Sequence, residues 1–337
     1  MAQRARKAAG DTARPLAGQV AVVAGATRGA GRGIARGLGE AGATVYCTGR
    51  SVRGNLSAYG RPETIDETAE MVTEAGGSGI AVRVDHTIEA DVRALFERVE
   101  RDHGRLDVLV SSIAGEDPLL GTWGTPLWEM DMDKALAAIR QSLLSHMVTA
   151  KHAAPLMIAK RRGLIIEVTE GDMPYGGGTI LSDLVKSSLK WFAVRLSEDL
   201  RKHRVAAIAI TPGFLRSESM LERFGVTEAN WRDGGQKDKN FLESETPLFI
   251  GRAVAALAAD PNVLARSGDL TSSWEIARAY GFTDADGRQA DWGRNWEKIQ
   301  RESAYRWLRE SLQRQVAWLE RMARRGSEYL NAAEKEK

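Results

Sequence analysis

The chain is expected to fold as an α/β protein, a doubly wound parallel sheet of about seven strands that carries a mostly helical extension at its C-terminal end. Three observations predict this. Short apolar runs rich in β-branched residues, beginning with Val20-Ala21-Val22-Val23-Ala24, recur along the chain as far as Leu270. The segments between them place apolar residues at helical spacing, the βαβ pattern of strands buried on both faces. Closely spaced glycines, Gly25, Gly29 and Gly31, join the first strand to the first helix.

Taken in order, the first strand turns through Gly25-Ala26-Thr27-Arg28-Gly29-Ala30-Gly31-Arg32-Gly33 and runs into Ile34–Glu40, which has helical spacing. Glycine lets the backbone take positive φ and come close to an anion, and the N–H groups at the helix start carry partial positive charge. The pyrophosphate of a dinucleotide fits such a turn. Ala43–Thr48 is a second strand that stops at Gly49-Arg50-Ser51, and a long loop from Val52 to Pro62 carries Arg53. A helix is predicted over Glu63–Ala75, a third strand over Ile80–Val84 ending at Asp85-His86, a helix over Ile88–His103 and a fourth strand over Leu106–Ser111. A long helical region follows from about Asp131 to Lys160, then strand five at Leu164–Val168, a helix over Leu181–His203 and strand six at Val205–Ile210. An amphipathic helix at Thr246–Asp260 precedes the last strand at Gly268–Thr271. Ligands of such sheets bind at the carboxyl ends of the strands, where the strand order reverses, so the residues after each strand are the candidate site.

Composition narrows the function. A chain of 337 residues, 43% hydrophobic, suffices for one large domain with an appendage. The net charge of +2 gives no reason to expect a nucleic-acid partner. Cys47 is the only cysteine, which excludes an intrachain disulfide and fits a reducing cytoplasm. No apolar run is long enough to span a membrane. The segment before Pro15 has Arg4, Arg6, Lys7 and Arg14 but no apolar core, and reads as a disordered tail rather than a signal peptide. The domain is expected over residues 16–273 and the extension over 274–337. The histidines and the cysteine show no metal-ligand spacing. Asp284-Ala285-Asp286-Gly287 lacks the alternation of a calcium loop and reads as a turn.

At the second strand end, Gly49 stands where an acid would accept hydrogen bonds from a ribose 2′-hydroxyl and repel a 2′-phosphate. Arg50 follows, with Arg28 and Arg53 expected nearby, and guanidinium groups suit bidentate phosphate binding. NADP(H) is therefore expected over NAD(H). From Leu16 to Leu270 the sequence resembles the short-chain dehydrogenase/reductase family, whose domain is a Rossmann-type sheet. Gly25, Gly29 and Gly31 match its TGxxxGxG turn, with Ala24 in place of threonine. Asp85 matches its adenine-contacting acid, Ser111-Ser112-Ile113-Ala114-Gly115 stands at its Asn-Asn-Ala-Gly segment, and Pro212-Gly213 followed by Ser217 resembles its nicotinamide-contacting PGxxxT. The resemblance assigns cofactor contacts to Thr27, Ala30, Ser51, His86, Leu215 and Lys186 as well, and implies a substrate lid at about 214–245 and a homodimer or homotetramer.

Catalysis departs from the family pattern. Lys186 stands in the family's lysine position, but four residues before it is Ser182 instead of tyrosine. A serine hydroxyl is a far weaker acid than a phenol, whose pKa is about 10. Glu170, or with one shift Thr169, falls at the family's serine, and Ser142 at the asparagine that relays protons in relatives. Three explanations stand open. Glu170, Asp172 or Tyr175 takes over as proton donor, Glu170 through a pKa raised by desolvation and Tyr175 by swinging across Gly176-Gly177-Gly178. The substrate is an iminium or polarised enone that needs little acid. Or the chain performs a non-redox step, or binds cofactor without turnover. The expected function is an NADP(H)-dependent reductase acting on a C=O, C=C or C=N group of a medium-sized, partly apolar small molecule. The pocket walls are expected from Trp123 and Trp128 and from Met220, Leu221, Phe224 and Trp231, though the tryptophans equally suit packing of their loop. His146 and His152 read as ordinary helix residues. From about Gly293, Trp296, Ile299, Leu308, Leu312, Val316, Leu319 and Met322 make an amphipathic tail, expected to cover a subunit interface.

Overall fold

The computed structural model describes residues 14–56, 60–114, 125–170, 179–303 and 310–316. The chain divides into two units, one ending at Ala290 and the other starting at Asp291. In the first, seven strands form one parallel sheet: β1 (Val20–Ala24), β2 (Thr44–Gly49), β3 (Ser78–Arg83), β4 (Val108–Ser111), β5 (Gly163–Val168), β6 (Val205–Thr211) and β7 (Leu270–Ser272). Their order is β3-β2-β1-β4-β5-β6-β7, so the direction of winding reverses between β1 and β4 and opens a crevice there. The doubly wound sheet expected from the sequence is the observed fold.

The helices form for local reasons. α1 (Gly29–Glu40) starts from the glycine turn, and α2 (Ile65–Glu74) starts from a capping box in which the Thr64 side chain and Glu67 satisfy each other's backbone N–H. α3 (Glu89–His103) stops at Gly104 in the left-handed conformation. The long helical region expected before β5 is α4 (Met132–Ile139), a π turn (Arg140–Leu144) and α5 (Ser145–Lys160). α6 (Ile180–Arg201), α7 (Glu218–Phe224), α8 (Pro247–Ala259) and α9 (Ser273–Tyr280) complete the unit. α7 begins on Ser217 and α8 on Thr246, whose side chains cap them.

Alternation along the buried strands splits the core in two. Ala21, Val23, Val45, Val110, Ile166 and Ile208 face a cluster shared with α1, α2 and α8. Val22, Tyr46, Leu109, Ile165 and Ala207 face a second shared with α3, α5 and α6. α9 continues the first core through Ile276, and Ala277 and Ala290 pack on Phe249. In the second unit, residues 292–303 and 310–316 are helical, with the Trp292 and Trp296 rings 6.5 Å apart and Leu312 and Val316 exposed. The other apolar positions expected of the tail at 308, 319 and 322, and the N-terminal segment to residue 13, lie outside the described residues. No described helix is long and apolar enough to cross a membrane.

Candidate functional site

Three loops meet at the glycine turn. Gly25 has φ +84°, and a Cβ there would lie 2.3 Å from the Ser112 carbonyl oxygen, so only glycine lets the turn after β1 rest on the segment after β4. Gly31 closes the turn on Gly25 in the same way, with 2.1 Å to its oxygen. A Cβ on Gly29 would meet Ser217 and Leu215 at 3.7 and 4.0 Å, so the segment after β6 lies over the helix start. The Gly29 N–H donates to Glu218 Oε2 at 2.8 Å, and Arg32 lies 3.7 Å from the other carboxylate oxygen. A negative group therefore rests on the α1 N-terminus, as its dipole favours.

At the end of β2, a Cβ on Gly49 would come within 2.6 Å of Thr27 Oγ1 and 3.1 Å of Ile65 Cγ2. An acidic side chain has no room there. Arg50 is partly exposed beside Asp85, 3.9 Å from its Oδ2. Arg28 pairs with Glu63 at 3.3 Å; Glu63 also holds Arg61, which bonds both oxygens of Glu222 on α7 at 2.8 and 2.9 Å. Burial works to raise the Glu63 carboxyl, but the Arg61 hydrogen bond and the Arg61 and Arg28 charges prevail and hold it below the usual range. Arg61, Glu63 and Glu222 escape a sequence reading because nothing in their spacing shows that the loop folds back on α7. Arg53 departs from expectation: it is exposed and bonds both oxygens of Glu70 on α2 at 2.9 Å. Ser51 is buried, its carbonyl accepting the Ile65 N–H.

Asp85 accepts both the Thr87 N–H (2.9 Å) and hydroxyl (2.7 Å). Burial opposes its ionisation, yet the Thr87 bonds and the Arg50 charge outweigh that and keep its carboxyl below the usual range. His86, expected to touch cofactor, turns its ring inward instead. Its Nε2 lies 2.8 Å from Thr48 Oγ1 and its Nδ1 2.9 Å from Thr149 Oγ1. Burial, helped by nearby His146, lowers its pKa to about 3, so the ring stays neutral.

The segment after β4 is tied on every side. Ser112 N–H donates to the Ala24 carbonyl at 2.8 Å, His146 Nε2 lies 3.0 Å from the Ile113 oxygen, and Gln141 Nε2 donates to the Ala114 oxygen at 3.1 Å. His146 is thus no ordinary helix residue: it is fully buried, and its Nδ1 lies 2.6 Å from Glu167 Oε2. His152 is an exterior partner of Glu89.

On α6, Ser182 and Lys186 stand one turn apart, both half-buried, and the Lys186 carbonyl accepts the Thr169 hydroxyl at 3.0 Å. Ser142 lies on the π turn, and its buried hydroxyl has no hydrogen-bond partner among the described residues. Glu170 is exposed; the buried carboxyl on β5 is Glu167, whose pKa burial raises. Gly115, Trp123, Asp172 and Tyr175 lie outside the described residues. Beyond Pro212, the Gly213 N–H donates to Glu245 Oε2 at 2.9 Å. Glu245 is fully buried, and desolvation pushes its carboxyl up to about 8 despite the Ser273 and Gly213 bonds.

The expected lid has a core of its own. Phe224 stacks on Phe241 with centroids 4.0 Å apart, and Phe214 and Trp231 pack edge-on against Phe241 at 5.4 and 6.2 Å. The buried Arg216 guanidinium lies 3.9 Å over the Trp231 ring and bonds Glu228 and the Ser244 carbonyl. Trp231 and Phe241 therefore hold the segment together, while Met220 and Leu221 remain half-buried. Trp128 is 85% exposed. Among the described residues no group of histidine, cysteine or carboxylate side chains is placed to hold a metal.

The family described as short chain dehydrogenase matches residues 19–225. Dehydrogenase/reductase SDR family member 1 of Homo sapiens is 35% identical over 286 residues, covering 82% of this chain and 86% of the human protein. Its Mus musculus counterpart is 34% identical over 285 residues, covering 81% and 85%. Among solved structures, a metagenomic short-chain oxidoreductase in complex with NADP superposes with a TM-score of 0.57 at 29% identity, covering 77% of this chain and 98% of that one. A short chain dehydrogenase from Mycobacterium thermoresistibile, 18% identical, shares the fold with a TM-score of 0.67 over 82% of this chain and 92% of its own. With this sheet order, this glycine turn and these relatives, the chain belongs to the short-chain dehydrogenase/reductase family of NAD(P)-dependent oxidoreductases.

Proposed function

We propose that the protein is an NADP(H)-dependent reductase that delivers hydride to a C=O, C=C or C=N group of a medium-sized, partly apolar small molecule. The observation that carries the cofactor choice is the closed space at Gly49: Thr27 and Ile65 exclude the acid that would select a 2′-hydroxyl, and Arg50 stands next in the chain. The relative solved with NADP supports the same choice. In this reading the glycine turn from Gly25 to Gly31 holds the pyrophosphate with backbone N–H groups. Arg28 and Arg50 hold the 2′-phosphate, Asp85 faces the adenine, and Ser112 to Gly115 with Pro212, Gly213, Leu215 and Ser217 border the nicotinamide half. Arg53 is left out, because Glu70 already engages it.

When bound, the nicotinamide supplies the hydride. Lys186 bonds the adjoining ribose and places a positive charge beside the reacting group. Ser182, one helical turn away on the same face, orients the substrate by hydrogen bonding, since its hydroxyl is too weak an acid to stand in for a phenol. Proton delivery falls to Glu170 or Tyr175 with Ser142 as relay, or is not needed because the acceptor is an iminium or polarised enone that develops little oxyanion. The serine at the tyrosine position is the observation that favours such acceptors. It equally leaves room for a second reading, in which the retained nucleotide site serves a non-redox step or no turnover. A cytoplasmic homodimer or homotetramer completes the proposal. The exposed Ile180, Leu184 and Trp191 on α6 give it an apolar surface to cover.

The test is NADPH oxidation with a panel of ketones, enones and cyclic imines. Loss of nicotinamide absorbance on any class supports hydride transfer and identifies the acceptor. NADPH binding without turnover on every class favours the second reading. Lys186→Ala is expected to abolish turnover, and Ser182→Ala to lower it only modestly; a severe loss from Ser182→Ala would make its hydroxyl a chemical participant.

A further inference from the structure

One helix grips two consecutive carbonyls of the segment after β4. Gln141 donates to the Ala114 oxygen and His146 to the Ile113 oxygen. Residues five apart on an α-helix point to different sides, because one turn takes 3.6 residues. The π turn at Arg140–Leu144 removes that obstacle. Closed by the Ser145 N–H on the Arg140 carbonyl, it has a five-residue hydrogen-bond repeat, which brings Gln141 and His146 over one another. A carbonyl oxygen only accepts, so His146 Nε2 carries the proton, and Nδ1 faces Glu167. His146 and Glu167 are both wholly buried, and wherever their shared proton sits the pair is electrically neutral overall. Glu167 comes from β5, where it stands in register with Ser111 at the end of β4. The central sheet thus fixes the His146 ring, and the ring fixes the backbone that leads out of the crevice.

We propose that Gln141, His146 and Glu167, brought into line by the π turn, form a clamp that sets the Ile113–Ala114 backbone to receive the nicotinamide half of the dinucleotide. These are positioning residues; none of them touches the ligand. The proposal rests on the NADP(H) reading above, which puts the 2′-phosphate at the end of β2 and so directs the other half of the molecule over β4 and β5 toward Lys186. The adenosine half lies beyond the clamp.

Two ligands separate the halves: NADPH, and 2′,5′-ADP, which has the adenosine and the 2′-phosphate but no nicotinamide. Removing both imidazole bonds in His146→Leu is expected to raise the NADPH dissociation constant about 10-fold, or about 1.4 kcal/mol, and to leave that of 2′,5′-ADP within about 2-fold. His146→Gln, which keeps a donor, restores most of the loss. Gln141→Leu, at the margin of the core, shows the same selectivity at about 3-fold, the scale of one hydrogen bond, and decides the matter even if His146→Leu does not fold. Equal weakening of both ligands, or unchanged NADPH binding, in Gln141→Leu overturns the clamp. A wild-type protein that binds neither ligand overturns the NADP(H) reading itself.

Discussion

On the face of the sheet covered by α1 and α8, the strand ends are held by shape; on the face covered by α3 and α5, they are held by hydrogen bonds. On the first face, Gly33 and Gly37 bring α1 so close to α8 that a Cβ on either would lie 1.8 Å from the Pro247 oxygen or 2.4 Å from the Gly251 carbonyl carbon. Most of the rest of that face is apolar, with the buried Thr68 hydroxyl donating to the Ala26 carbonyl at 2.8 Å. On the second, the same strand ends carry a buried polar layer in which Thr48 bonds His86, His86 bonds Thr149 and Glu167 bonds His146, with Ser111 in register beside Glu167. The difference has a physical sense. Backbone fit fixes the glycine turn, which needs only close approach, whereas the segments after β3 and β4 hold particular carbonyls in particular directions, which takes donors with defined geometry.

The comparison predicts unlike failures on the two faces. Gly33→Val has the largest expected effect: the side chain would have to displace the α8 backbone, costing about 3 kcal/mol or more, so the variant should be insoluble or melt far below the wild type. A near-normal melting temperature would show that the glycine contact is not needed. Thr149→Val keeps the volume but strips His86 Nδ1 of its hydrogen-bond partner, and urea denaturation should show a loss of about 1–3 kcal/mol. An unchanged midpoint would mean that the polar layer adds nothing to stability.

A smaller effect depends on pH. The Glu245 carboxyl, raised by burial to about 8, stays protonated in the folded chain where the unfolded chain, near the ordinary carboxyl value of about 4.3, has already lost its proton. The folded state then binds more protons, so this group's contribution is complete below the unfolded value and is lost as pH rises toward 8. Thermal melting should therefore show Glu245→Gln gaining on the wild type at pH 8 and matching it near pH 4; a gain equal at both would rule out the carboxyl's titration as the cause. The smallest effect is at the glycine turn. Glu218 sets a carboxylate on the helix start that would hold the pyrophosphate, so Glu218→Gln should tighten NADPH binding about 3-fold in a fluorescence titration, as expected for removing one like charge near a solvated anion. Weaker binding would instead make Glu218 a strut that holds α7 in place.

Much of the shape-held half was legible in the sequence. Strand positions came from unbroken apolar runs, their parallel, doubly wound arrangement from the βαβ rhythm, and the glycine turn from spacing alone. Glycine serves close approach in two places: Gly25 and Gly31 let the turn rest on Ser112 and on itself, and Gly33 and Gly37 let α1 meet α8. The hydrogen-bonded half was not legible. His146 on a helix looks like any packed histidine until Glu167 and the Ile113 carbonyl are brought to it from other strands, and the π turn at Arg140–Leu144 leaves no mark in apolar periodicity. Arg53 and Phe224 misled for a related reason: type and position suited a ligand, but Glu70 and Phe241 lay nearer.

The central claim is that this sheet holds NADP(H) in preference to NAD(H) because Gly49 leaves no place for an acid and Arg50 faces the 2′-phosphate. Equilibrium titration of wild type and Arg50→Ala with NADPH and NADH tests it directly. The expected result is NADPH bound at least about 10-fold more tightly by the wild type, with most of that preference gone in Arg50→Ala, as for loss of a charge-assisted phosphate contact. Equal affinities in the wild type, or a preference that survives Arg50→Ala, would contradict it.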